Sequence, residues 1–85
     1  METTVTQYWA SMIDYNQRQK ICEYLKNKGI DYKNCYLVEV YEEEKKIICH
    51  YFAVNEEGRK YIDQETGETA ITEPKEFIVD ELPEI

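Results

Sequence analysis

The sequence is poor in the residues from which most reactive centres are built. Among its 85 residues it has one histidine, His50, and three cysteines, Cys22, Cys35 and Cys49. Protein zinc sites commonly take four ligands from closely spaced cysteine pairs. No C-x-x-C spacing occurs here, so no metal is expected. Cys49 and His50 are adjacent, but neighbours on a strand point to opposite faces, which excludes a nucleophile–base pair between them. The three glycines, Gly29, Gly58 and Gly67, are far apart, so there is no glycine-rich phosphate loop. Carboxylates are abundant but fall in turn-like stretches, whereas a catalytic carboxyl needs burial to tune it. The chain therefore reads as non-catalytic and without a cofactor.

Other absences narrow the class further. No apolar run approaches the roughly 18 residues of a membrane span. The opening METTVTQYWASMI has neither a basic start nor a small-residue cleavage site, so no signal peptide is expected. An odd number of widely spaced cysteines suits buried free thiols in a reducing compartment, and a cytoplasmic location is expected. Basic residues are few: ten Lys and Arg stand against eighteen Asp and Glu, for a net charge of −8. Direct binding to nucleic acid needs the opposite sign.

The hydrophobic fraction is 42% and the aromatic fraction 13%, with eight tyrosines, which is too apolar for disorder. One domain spanning 1–85 is expected. Val5, Tyr8, Trp9, Met12 and Ile13 fit the i, i+3, i+4, i+7, i+8 pattern of an amphipathic helix, and Thr4 with Gln7 can form a capping box. Asp14 with Gln17 repeats that signal. A second helical stretch runs from Tyr15 to about Lys28, with Ile21, Cys22 and Leu25 on one face. Gly29 closes it as a left-handed cap, and Ile30 supplies the accompanying apolar contact. Residues 1–30 thus read as helical, either as one bent helix or as two with a break near Ser11–Asp14; the second cap favours the break.

From Cys35 the period changes to two. Cys35–Glu42 places Tyr36, Val38 and Val40 on one face and Leu37, Glu39 and Tyr41 on the other. Ile47–Val54, Arg59–Asp63 and Thr69–Thr72 read as further strands, separated by turns at Glu42–Lys45, Asn55–Gly58 and Asp63–Glu68. Phe77–Val79 is expected to run along a sheet edge and bury Phe77 or Ile78, and 81–85 to form a loose tail. The expected fold class is α+β: an N-terminal helix or helix pair on one face of a three- to five-stranded antiparallel meander covering 35–80.

The charge is unevenly distributed. Residues 1–38 hold four acids and five bases, and residues 39–85 hold fourteen acids and five bases. The sheet half carries the whole excess. If alternate turns of a meander share an end, Glu42, Glu43, Glu44, Asp63, Glu65 and Glu68 gather at one end, with Glu56 and Glu57 at the other. Such a field attracts basic surfaces. The expected partner is a basic protein surface, for example that of a nuclease or another nucleic-acid-binding protein, which the domain would occupy as an inhibitor or decoy. The alternative is a regulatory or assembly module, homodimerising or binding a partner through an apolar stripe that includes Tyr8 and Trp9, residue types enriched at binding hot spots.

The segment YFAVNEEGRKYIDQETGE, about a fifth of the chain, resembles the closing hairpin of PepSY-type domains, in which a helix precedes an antiparallel meander ending in a D-x-x-T-G turn. That resemblance implies a module that inhibits or regulates a partner. In size, acidity and lack of catalytic motifs the chain is also similar in character to small phage-encoded inhibitors of bacterial defence, such as anti-CRISPR and anti-restriction proteins.

Overall fold

The computed structural model describes residues 4–85; residues 1–3, the start of the expected 1–30 helical segment, lie outside them. One helix, α1 (Tyr15–Asn27), packs on one face of a four-stranded antiparallel sheet built from β1 (Val5–Trp9), β2 (Cys35–Tyr41), β3 (Lys46–Tyr51) and β4 (Lys75–Ile78) in the order β1-β2-β3-β4. The α+β class and the antiparallel meander are as the sequence implies.

The expected helix over Thr4–Ile13 does not form. Val5–Trp9 is a strand, paired with β2 from Val5↔Tyr41 to Trp9↔Leu37. Its residues are Val, Thr, Gln, Tyr and Trp, and four of the five favour strands. Val5, Tyr8 and Trp9 mimic a helical stripe only because both faces of the strand carry large side chains. Pairing with β2 satisfies the backbone and overrides the weaker helical period. Ala10–Ile13 turns the chain, with the Met12 and Ile13 amides donating to the Trp9 carbonyl. Met12, counted in the helical stripe, is 80% exposed.

Helix α1 begins where the second cap signal stands. Asp14 accepts from the Gln17 amide at 2.8 Å, and the Gln17 side chain accepts from the Asp14 amide at 3.3 Å, closing a capping box. At the other end Gly29 takes φ 73°. The Ile30 amide reaches the Leu25 carbonyl and the Gly29 amide that of Lys26, which is a Schellman closure. Ile30 is buried, as this closure requires.

The core lies between α1 and the sheet. Ile21 and Leu25 meet Val38, Val40, Ile47, Cys49 and Tyr51, and Val79 closes the far edge. Cys49 and Ile47 are completely buried. Cys22, Cys35 and Cys49 are all free thiols. A hydrogen bond to Cys49, together with burial, pushes the Cys35 thiol up, so it resists ionisation.

Two further expectations change, and a third, the edge run of Phe77 and Ile78, holds in β4. Arg59–Asp63 and Thr69–Thr72 contribute only the single bridges Val54↔Lys60, Ile62↔Thr69 and Phe52↔Ile71; the fourth strand is β4, beyond Pro74. In β4, Phe77 faces the core and is half-buried, while Ile78 points outward and is 76% exposed. The segment 81–85 is not loose: Leu82 and Ile85 pack against the core, the Tyr24 hydroxyl donates to the Glu81 carbonyl, and Lys28 pairs with Asp80 at 2.6 Å. Among the described residues, no helix is long and apolar enough to cross a membrane.

Candidate protein-binding face

The sheet has two faces, and α1 covers only one. Register assigns Thr6, Tyr8, Val38, Val40, Ile47, Cys49 and Tyr51 to the covered face. The other carries Val5, Gln7 and Trp9 from β1, Leu37, Glu39 and Tyr41 from β2, and Lys46, Ile48 and His50 from β3. Tyr8 and Trp9, expected to share one apolar stripe, therefore lie on opposite faces. Tyr8 joins the core and Trp9 stands on the open side.

A bulge in β2 alters the expected alternation. Cys35 pairs with Tyr51 and Leu37 with His50, so Tyr36 is an extra residue opposite a single step of β3. Strict alternation would put Tyr36 with Val38 and Val40. The bulge instead delivers it to the open side, where its ring centroid lies 4.6 Å from Phe52, 6.2 Å from Trp9 and 6.0 Å from His50. Trp9, Tyr36 and Phe52 form a tilted aromatic band across three strands, at separations where ring pairs attract.

A polar chain runs beside this band. Trp9 Nε1 donates to Gln7 Oε1 at 3.4 Å, Gln7 Nε2 donates to Glu39 Oε2 at 3.1 Å, and Glu39 Oε1 meets His50 Nε2 at 2.5 Å. Glu39 and His50 are diagonal neighbours in the β2–β3 register, a position from which long side chains interact. Desolvation raises the Glu39 pKa, but hydrogen bonds from Gln7 and His50, with the histidine's charge, outweigh it and leave the carboxyl below its usual value. In the sequence His50 draws attention only beside Cys49, and Glu39 not at all. The available signal was a carboxylate in mid-strand two residues from a hairpin turn, which a diagonal basic partner would satisfy.

The acidic turns do not gather as expected. Glu42, Glu43 and Glu44 occupy the β2–β3 turn, at the end where β2 finishes. The Asp63–Glu68 turn lies at the other end, where β2 starts and β3 finishes: Asp63, Thr66 and Glu68 line one cavity with Tyr36 and Phe52. The Asn55–Gly58 turn, with Glu56 and Glu57, closes the extension of β3 at this same end. The reason is that Phe52–Val54 continues beyond β3, so the next hairpin folds back on the extension and not on the sheet. Asp63, Glu65 and Glu68 thus join Glu56 and Glu57, and Glu42–Glu44 stand apart. At their end, Lys46 bridges Glu44 and Glu76, each at 2.7 Å, and lies over the Tyr41 ring. The two carboxylates hold the Lys46 pKa above its usual value.

The cavity beside the aromatic band has a volume of about 390 Å³. Two aromatic rings and two carboxylates on its walls form a surface suited to a cation, because a ring face attracts positive charge and a carboxylate can pair with it. The molecule places one of its own cations nearby, with Lys60 Nζ 4.4 Å from the Phe52 centroid. Among the described residues, no group of three or more His, Cys, Asp and Glu side chains is arranged to hold a metal ion. No family model matches the chain, and no match emerges among curated proteins or solved structures.

Proposed function

We propose that this chain is a non-catalytic protein-binding module of the cytoplasm that uses its open sheet face to occupy a basic surface on a target protein, as an inhibitor or decoy of a nucleic-acid-binding protein such as a nuclease. The cavity in which Asp63 and Glu68 flank Tyr36 and Phe52 carries this proposal. A lysine or arginine of the partner would enter it, its charge toward the carboxylates and its stem along the rings. Glu42–Glu44 at one end of the face, and Glu56, Glu57 and Glu65 at the other, would meet further basic residues and speed encounter. Carboxylates spaced along such a face stand in for backbone phosphates.

Fluorescence anisotropy with a labelled arginine-rich peptide tests this. Binding should weaken steeply from low to high salt, because exposed charges are screened within about 10 Å at 0.1 M. Asp63→Lys with Glu68→Lys, and separately Phe52→Ala, should each reduce affinity at least about tenfold. Equal binding by the charge-reversed protein would remove the proposal.

A second reading has its own observation. Val5, Trp9 and Ile78 are exposed on the same open face, which could join two copies or dock an apolar partner in an assembly. Light scattering on the wild type and on Trp9→Ala separates the two readings. A salt-insensitive dimer that Trp9→Ala dissociates would favour assembly.

A further inference from the structure

Where α1, the β1–α1 turn and the start of β2 meet, a cleft lies over core residues that are themselves almost fully buried. Its volume is about 420 Å³, within the range of roughly 300–1,000 Å³ typical of small-molecule sites. Its inner walls are apolar: Ile13 from the turn, Ile21 and Leu25 from α1, and Val38 from β2. Cys22, Cys35, Tyr32 and Tyr36 also line it.

Among the described residues, Arg18 is the one charged residue lining this cleft. In a chain of net charge −8, an apolar cleft whose only charge is positive reverses the character of the rest of the molecule. One guanidinium nitrogen, Nη2, donates to the Ala10 carbonyl at 2.5 Å, which fixes the group against the cleft wall. A guanidinium has five N–H donors in a planar fork that matches a carboxylate. Among the described residues Arg18 forms no ion pair, so the rest of the fork has no protein carboxylate to hold. The shallow groove beyond the mouth shares Arg18, Cys22 and Tyr32 and adds Glu23 and Lys26.

We propose that this cleft binds a small apolar carboxylate, its hydrocarbon body among Ile13, Ile21 and Leu25 and its carboxylate on Arg18. Body and head have separate grounds: the walls offer carbon to carbon, and the sign of the single charge selects an anion over a neutral or cationic head. The cleft lies on the helix side of the sheet and shares Tyr36 with the cavity on the open face.

The test is titration of the whole chain with octanoate, octanol and octylamine, followed by methyl NMR and calorimetry. Octanoate should bind with a Kd below about 1 mM and shift the methyls of Ile13, Ile21 and Leu25. Octanol should bind at least tenfold more weakly, and octylamine more weakly still. Arg18→Gln should reduce octanoate affinity at least tenfold while bringing it close to that of octanol. Cys22→Phe, which fills the cleft without removing Arg18, should abolish binding. If either variant fails to fold, the three-ligand series on the wild type decides alone. Non-saturating shifts, shifts confined to the open sheet face, or equal affinity for the three head groups would overturn the proposal.

Discussion

Glu39 and His50 meet Oε1 to Nε2 at 2.5 Å in the middle of a sheet face that no helix covers, each with a side chain less than one-fifth exposed. A carboxylate held this way favours its charged form in the folded state. Its folded pKa lies below the unfolded value, so its contribution is complete above the ordinary carboxyl pKa of about 4.3 and is lost as pH falls through the lowered value. Thermal melts from pH 7 downward should therefore show a steep acid limb in the wild type. Glu39→Gln should be less stable at pH 7 and lose stability less steeply in acid. Parallel acid limbs would count against this coupling.

Separation of the acidic turns predicts how charge reversals combine. Glu42→Lys with Glu43→Lys and Glu44→Lys acts at one end of the open face, and Asp63→Lys with Glu68→Lys at the other. Distant sites without shared partners add to within about 0.3–0.5 kcal/mol. Both sets should weaken binding of an arginine-rich peptide, the second more strongly because it also reverses the field around Tyr36 and Phe52. Combining them should multiply the two losses. Strong non-additivity in the anisotropy titrations would mean that the ends form one site.

Lys45 holds a left-handed conformation, φ 49°, at the end of the β2–β3 turn. That region costs an L-residue about 1–2 kcal/mol, whereas glycine enters it freely at an entropic cost of about 0.5–1 kcal/mol. The backbone bond from the Val79 amide to the Lys45 carbonyl does not depend on the side chain. Lys45→Gly should raise stability by about 0.5–1 kcal/mol, a rise in Tm of about 2–8 °C for a domain this small. A lower Tm would refute the strain.

The C-terminal segment is part of the fold, so truncation after Glu73 should be severe. It removes β4, the half-buried Phe77 and the buried Val79, along with the contacts of Leu82 and Ile85. Val79 alone contributes about 1.5–3 kcal/mol by burial, against a total of about 5–15 kcal/mol for a native domain. Calorimetry should show a Tm lower by at least about 10 °C or no cooperative transition. An unchanged melt would show that the edge strand contributes nothing.

Helix α1 was legible in the sequence because its signals are local. The Asp14–Gln17 box, the Ile21/Leu25 stripe and the Gly29–Ile30 closure each need only a few consecutive residues. The hairpin of β2 and β3 was legible for the same reason. Val5–Trp9 reads as helical in the sequence because its spacing is local, whereas its strand character depends on a partner about thirty residues away. The site suffered most. Trp9, Tyr36, Phe52, Glu39 and His50 come together through the order of the strands and one bulge, neither of which periodicity reveals. The acids could be counted in the sequence but not placed, because Arg59–Asp63 pairs with the extension of β3 only at Val54↔Lys60 and does not run back along β3, which leaves the Asp63–Glu68 turn at the same end as Glu56 and Glu57.

The bulge at Tyr36 also bears on how such a face can change over generations. Cys35 and Val38, on either side of the irregularity, answer to the core, whereas the inserted tyrosine has no counterpart on β3 to satisfy. Substitutions there alter the open surface and leave the core residues of β2 unchanged. A change at position 36 thus reshapes the open side of the sheet while the side chains that fill the interior stay in place.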